Sequence, residues 1–263
     1  MPPFDELLYA GSAVHYPSGR MPYPSALADA LRGELGLDGS GRLLDVGCGP
    51  GPLTTLLAPL FAEATGIDAD ADMIGVARAA APAISWRRLH AEELPADLGT
   101  FRVVTFAQSF HWMDRELVAR RVRPMIEPGG AWVHVSAATH RGLPGSAVPW
   151  DRMDALVAAY LGPVRRAGRG LLPDGTPGGE EEIMRAAGYR GPARLPITGG
   201  DVFNRTADDI VSSVFSLSSS APHLFAERLG DFEAELRGIL RQASPSGLFA
   251  ERRGAVEAVV WRP

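Results

Sequence analysis

The chain is 263 residues long, 46% hydrophobic and 22% charged, with a net charge of -5, a balance that suits one large globular domain or one domain with an elaborated cap and offers no basic surface for nucleic acid. Its single cysteine, Cys48, excludes an internal disulfide and favours a reducing compartment. Residues 1–11 lack the basic and apolar regions of a signal peptide, and no apolar run approaches the ~18 residues of a membrane span, so a cytoplasmic protein with no membrane partner is expected.

In chain order, the first 36 residues read as a lid segment followed by a helix. From Arg42 to about Ala138, the β-rich runs RLLDV, EATGID, ISWRRL, FRVVTFA and AWVHVSA alternate with PLTTLLAPLFA, ADMIGVARAA and DRELVARRVRPMI, whose apolar residues recur at helical steps. Such alternation requires right-handed crossovers, and so an α/β fold: a parallel sheet with helices on both faces. Asp114 is placed to cap the helix after HWM, a cap for a helix over 70–79 is one alternative for Asp68, compatible with a ligand contact, and EPGG at 127–130 is placed to turn the chain before the next strand.

After residue 141 the rhythm changes. A helix is predicted over 149–161, a Gly/Pro-rich loop over 162–179, a helix over 180–188 and a strand over 193–203. Thr206 and Asp209 form a capping box that opens another helix, a further amphipathic helix covers about 223–242, and a final strand covers 254–261. The expected organisation is a lid with the first helix (1–36), a cofactor-binding core (37–141), a cap insertion (142–179), core again (180–204), a helical cap insertion (205–250) and the last core strand (251–263).

Residues 45–51, DVGCGPG, follow the first of these strands and open its helix, with Pro50 and Pro52 in the first turn, where a missing N–H costs little. Glycine at 47, 49 and 51 permits positive φ and close approach of a ligand to the backbone. The spacing departs from the dinucleotide pattern G-x-G-x-x-G, because the sixth position from Gly47 is Pro52 and the third glycine comes one residue early. Asp45 argues against phosphate as well, since a carboxylate there repels it and welcomes an ammonium group. Asp68, 23 residues further on, ends the second strand, where an acid accepts hydrogen bonds from a ribose diol. A cation and a ribose without phosphate describe S-adenosylmethionine.

With TGIDADADMIGVAR, HAEELP, FRVVTFAQSFHWMD and IEPGGAW, the segment LLDVGCGPG resembles the class I S-adenosylmethionine-dependent methyltransferase family over about 40–136. AVHYPSGRMPYP is similar to the YxxxRPxYP segment of the trans-aconitate methyltransferase subgroup and its HW relatives, with Arg20-Met21 in place of Arg-Pro. The resemblance implies a Rossmann-like, mostly parallel seven-stranded sheet, S-adenosylmethionine as cofactor, S-adenosylhomocysteine as product, and no metal. It carries Asp45, Gly47 and Gly49 to the methionine part, Asp68 to the ribose hydroxyls, Met73 to the adenine face, Ala91 and Glu92 to the adenine edge, and Ala107 and Gln108 to the transferable methyl. Cys48 and Ala69 join the cofactor contacts, and Tyr16 and Arg20 come to the methionine carboxylate. His90 stands where relatives commonly have Asp.

His111 and Trp112 follow the fourth strand at the carboxyl edge, where open α/β sheets bind ligands. His111 is a candidate base or orienting group, with a helix-start role as the alternative; Trp112 either packs or walls a sulfonium. His15 and Tyr23 complete the candidate acceptor contacts. His134, inside a strand, reads as structural, while His140 and His223 stay open. Ser212, Ser213, Ser216, Ser218, Ser219 and Ser220 read as a polar helix end or a hydroxyl-lined cap face. Arg165, Arg166 and Arg169 read as a solvated cluster or a clamp on an acidic substrate.

No zinc-ligand spacing or G-x-S-x-G elbow occurs, and AQSFHW stands where an N-P-P-Y-type motif would mark a nucleic-acid methyltransferase. The expectation is methyl transfer to a small organic acceptor, O-directed to a carboxylate or hydroxyl, by a monomer or homodimer. N- or C-methylation, and cofactor binding without transfer, are the alternatives.

Overall fold

A computed structural model describes residues 9–137, 143–167, 170–172 and 178–263 of the chain. They fall into two units. The sheet unit comprises Pro22–Ala137, Pro177–Thr198 and Ala255–Pro263; the helical unit comprises Met1–Met21, Ala138–Thr176 and Gly199–Gly254.

The sheet unit runs α2 (Ser25–Leu35), β1 (Arg42–Val46), α3 (Pro52–Leu57), β2 (Glu63–Asp68), α4 (Ala71–Ala80), β3 (Ser85–Arg88), β4 (Phe101–Ala107), α5 (Arg115–Val122), β5 (Ile126–Ala137), α7 (Glu180–Ala186), β8 (Arg190–Ile197) and β11 (Val256–Arg262). The helical unit contributes α1 (Tyr16–Gly19), α6 (Trp150–Leu161), β6 (Arg165–Ala167), β7 (Gly170–Leu172), β9 (Val202–Thr206), α8 (Ala207–Phe215), α9 (Leu229–Ala243) and β10 (Leu248–Arg252).

Seven strands form one sheet in the order β3-β2-β1-β4-β5-β11-β8. β1 to β5 pair in parallel, and β11 lies antiparallel between β5 and β8. Alternation along each strand divides the core. Leu44 and Val46 of β1 join Phe106 and Trp132 beneath α5 and α7, while Leu43 joins Val103 and Val133 beneath α2 and α3. The strand order reverses between β1 and β4, and the carboxyl ends of strands at such a switch point are where an open α/β sheet takes a ligand.

In the helical unit, α6, α8 and α9 bury Met153, Val214, Phe215, Phe232 and Leu236 around a stacked pair, Phe225 and Phe232. The capping box of Thr206 and Asp209 opens α8 as expected, and Asp114 caps α5 through Leu117 N at 3.1 Å.

Several elements differ from the sequence reading. Asp70 caps α4, accepting from Asp72 N and Met73 N, so Asp68 is released for other contacts. The stretch 193–203 breaks at Gly199-Gly200, with Gly200 at φ 127°, into β8 of the main sheet and β9, which pairs antiparallel with the unanticipated β10. EPGG lies inside β5 at a register shift. β6 and β7 form a short antiparallel pair inside the expected loop. The segment before α2 groups with the helical unit, and α2 with the sheet. His140, Arg169 and the side chain of Arg166 lie outside the described residues.

Candidate active site

The turn from β1 to α3 is tied to the end of β2: Gly47 N and Cys48 N both donate to Ile67 O, at 2.9 and 3.0 Å. Gly47, Gly49 and Gly51 all have positive φ, at 67°, 55° and 85°. Packing separates their roles. A Cβ on Gly47 would lie 2.5 Å from Ser109 Cβ, and one on Gly51 2.3 Å from Trp86 Cη2, but one on Gly49 would meet nothing within 4 Å. The outer two glycines admit neighbouring side chains, and the middle one leaves the loop open. That opening, with an acid beside it, fits S-adenosylmethionine.

The acids at this edge are held differently. Asp45 is 1% exposed and accepts from Thr54 Oγ1 at 2.6 Å and Thr105 Oγ1 at 2.7 Å. Burial pushes its pKa up to about 6 against the pull of those hydroxyls. Asp68 is half-buried and accepts from Gly49 N at 2.8 Å and Asp70 N at 2.9 Å. Burial lifts it to about 6 too, with smaller contributions from Asp70 and Asp45. Asp68 therefore braces the very amide whose residue faces open space, while Asp45 links β1 to α3 and β4 from within the core.

The other expected cofactor residues lie in the turns and helices that follow β1, β2 and β3. Cys48 is buried against Ile74, Ala77 and Trp86, so its contribution to the loop is its backbone. Met73 is buried on α4, and Ala69 O accepts from Arg88 Nε at 3.1 Å. Ala91 packs in the core. The Glu92 carboxylate accepts from Asp114 N at 2.7 Å, tying its turn to the start of α5.

Ala107 ends β4. Gln108 follows at φ 53°, an uncommon conformation for a side-chain-bearing residue, held by Gln108 N to Val135 O at 3.1 Å and Nε2 to Ala137 O at 3.2 Å. Ser109 Oγ donates to Val46 O at 2.6 Å, closing the gap between β1 and β4.

His111 and Trp112 lie in the helical turn after β4, half-buried, with ring centroids 5.3 Å apart. Burial, aided by Arg115, lowers His111 to about 4. The imidazole is therefore neutral at neutral pH. His134 is buried against Phe106, Phe110 and Trp132, and burial lowers it to about 3. The Tyr23 ring packs against the α2 and α3 side of the core.

In the helical unit, the Arg20 guanidinium lies 4.8 Å over the Tyr16 ring and donates to Ser216 O at 2.9 Å. His15 Nδ1 is 3.4 Å from Ser212 Oγ, and burial lowers its pKa against the opposing pull of Glu233. Ser213, Ser216 and Ser220 turn inward to backbone carbonyls instead of lining an open face. Arg205 and Glu251 form a buried ion pair at 3.2 Å. The sequence reading missed Thr54, Thr105, Ser109, Arg205 and Glu251, because their partners lie far along the chain or are backbone atoms.

The strand order, the antiparallel β11 and the glycine loop beside Asp68 define the class I methyltransferase fold. Residues 43–130 match the family described as a methyltransferase domain. An uncharacterized methyltransferase of Mycobacterium bovis is 35% identical over 127 residues, 48% of this chain and 51% of that protein. A trans-aconitate 2-methyltransferase of Rhodopseudomonas palustris is 35% identical over 104 residues, 38% of this chain and 40% of that one. The chain thus spans about half the length, or less, of the curated relatives it matches. A solved structure from Anaeromyxobacter dehalogenans, titled as a candidate type II methyltransferase, shares the fold with a TM-score of 0.53 at 24% identity, over 92% of this chain and 95% of that one. No described helix is long and apolar enough to cross a membrane, and no group of three or more His, Cys, Asp or Glu side chains that could hold a metal occurs among the described residues.

Proposed function

We propose that this protein transfers the methyl group of S-adenosylmethionine to an oxygen of a small organic acceptor, and that the acceptor oxygen belongs to a carboxylate. The observation that carries the cofactor is the open face of Gly49 beside the half-buried Asp68. Asp68 keeps acceptor capacity for a ribose diol after taking its two amides, and the loop backbone faces the methionine part. The cofactor supplies an electrophilic methyl; the protein supplies orientation, for which well-placed reactants can gain roughly 7–11 kcal/mol.

His111 decides between acceptors. A group lowered to about 4 is a poor match for removing a hydroxyl proton at neutral pH, where an effective base titrates near the working pH. A neutral imidazole can still orient a carboxylate, which needs no base. The name of the Rhodopseudomonas relative, a trans-aconitate 2-methyltransferase, agrees with an acid as acceptor.

Two measurements test this reading. Calorimetry should show binding of S-adenosylhomocysteine and none of NAD; the reverse would overturn the cofactor. Turnover with methyl-labelled cofactor across carboxylic acids, alcohols and amines should give an alkali-labile ester. An alkali-stable ether or methylamine would move the acceptor to a hydroxyl or nitrogen, and binding without any product would make the chain a cofactor-binding protein.

A further inference from the structure

Gln108 is exposed, yet its backbone and its side chain are both fixed. Among the described residues, the side-chain-bearing positions at positive φ are Ala96, Asp97, Gln108 and Ala226, and of these Gln108 alone directly follows a strand, at φ 53°. That backbone is costly for a residue with a Cβ, and such costs gather where a side chain is aimed at a ligand. Two bonds do the aiming. Gln108 N donates to Val135 O at 3.1 Å, and Nε2 donates to the carbonyl of Ala137, the last residue of β5, at 3.2 Å. A carbonyl can only accept, so the amide presents its nitrogen to Ala137 and turns Oε1 away from the end of β5. Among the described residues that oxygen receives no hydrogen bond.

Its neighbours locate it, and all of them belong to the sheet unit. β4 lies between β5 and β1. Ser109, the next residue, donates to Val46 O at 2.6 Å and packs against Gly47, where an added Cβ would also stand 3.0 Å from Met113 Cε. Gln108 therefore stands on the β4 side of the switch point beside the glycine loop, while Asp68 of β2 holds the loop from the other side through Gly49 N. A ligand with its ribose at Asp68 and its methionine part along the loop extends toward the end of β4.

We infer that the Gln108 amide oxygen faces the sulfonium of the bound cofactor. The inference rests on the reading of S-adenosylmethionine as the ligand, with its ribose at Asp68. An oriented carbonyl dipole attracts the positive sulfur, and the hydrogens of the attached methyl are weak donors to its oxygen. An ionised carboxylate acceptor, by contrast, brings no hydrogen for that oxygen to receive. Methyl transfer leaves a neutral thioether, so the contact is made with S-adenosylmethionine and lost with S-adenosylhomocysteine. Gln108 thereby favours the charged cofactor over the spent one.

The test is calorimetry of the full chain with S-adenosylmethionine and with S-adenosylhomocysteine, no acceptor present, and a melting temperature for each variant. Gln108→Gly keeps the left-handed backbone without steric cost. It should weaken S-adenosylmethionine binding about three- to tenfold and S-adenosylhomocysteine binding by less than about twofold, with the melting temperature unchanged or raised. Gln108→Asn also tolerates this backbone but is a methylene too short to hold the amide in place; it should show the same selective loss, and it carries the test if the glycine variant does not fold. Equal losses for the two ligands, with or without a lowered melting temperature, or no loss for either, would overturn the sulfonium contact and leave the cofactor reading standing. An unaltered chain that binds neither ligand would overturn the cofactor reading, and the inference with it.

Discussion

Asp45 and Asp68 close neighbouring strands of one sheet, and burial pushes both up to about 6, yet they do different work. Asp45 receives two threonine hydroxyls inside the core, from α3 and β4. Asp68, half-buried, receives two backbone amides, one from Gly49 and one just before α4. A carboxylate satisfied by side chains of packed elements locks those elements together. One satisfied by loop amides shapes the loop and stays within reach of solvent. The donors and the exposure, more than the residue type or the shifted pKa, separate scaffold from ligand contact.

Removing each acid should expose this contrast. Asp68→Ala should cost cofactor binding about 2–4 kcal/mol, or roughly 30- to 1,000-fold in S-adenosylhomocysteine affinity by calorimetry, with a small change in melting temperature. Asp45→Ala should do the reverse, and similar affinity losses for both would erase the distinction. The glycines extend the comparison to the backbone. Gly51→Ala, driven into Trp86 at positive φ, should lose about 2–4 kcal/mol in urea unfolding. Gly49→Ala should lose only the cost of its φ, about 1 kcal/mol, while its methyl stands where the ligand approaches and weakens binding.

The two acids also titrate with opposite consequences. Asp45 rises from 3.8 to about 6 on folding, so between about pH 4 and pH 6 the folded state binds more protons than the unfolded one. Stability therefore falls as pH rises through that window, by no more than about 3 kcal/mol from this group. Asp45→Asn should flatten its share of that fall, measured by urea unfolding at pH 4.5 and 7.5. Asp68 contributes to stability in the same direction, but its ionised form accepts from the ribose, so cofactor affinity should rise as pH climbs through about 6. Asp68→Asn should abolish that rise. The smallest effect expected is that of Thr105→Val, about 1 kcal/mol of stability from one lost hydrogen bond to Asp45, with cofactor affinity nearly unchanged.

The sheet was legible because RLLDV, EATGID and FRVVTFA alternate with helix-period segments, and the loop because three glycines follow a strand that ends beside two acids. What the sequence hid depends on atoms distant along the chain. Gly49 differs from Gly47 and Gly51 only because Ser109 and Trp86 crowd the latter two. In DADAD, residues 68–72, any of three acids could cap α4, and it is Asp70, directly before the first helical residue, that does so, while Asp68 accepts from Gly49 N. Arg205 and Glu251 are 46 residues apart and meet only because β9 pairs with β10. The break that separates β8 from β9 was marked by Gly199-Gly200, but a continuous strand pattern on either side masked it.

Cys48 is the one thiol in the chain, sealed behind the glycine loop against Trp86 and Ile74. Burial, reinforced by Asp68 and Asp45, pushes it far above its ordinary range, so it presents almost no thiolate until the loop opens. A thiol reagent followed by intact-mass measurement would therefore act as a stopwatch for opening, one modification per molecule, running slower as ligand fills the loop.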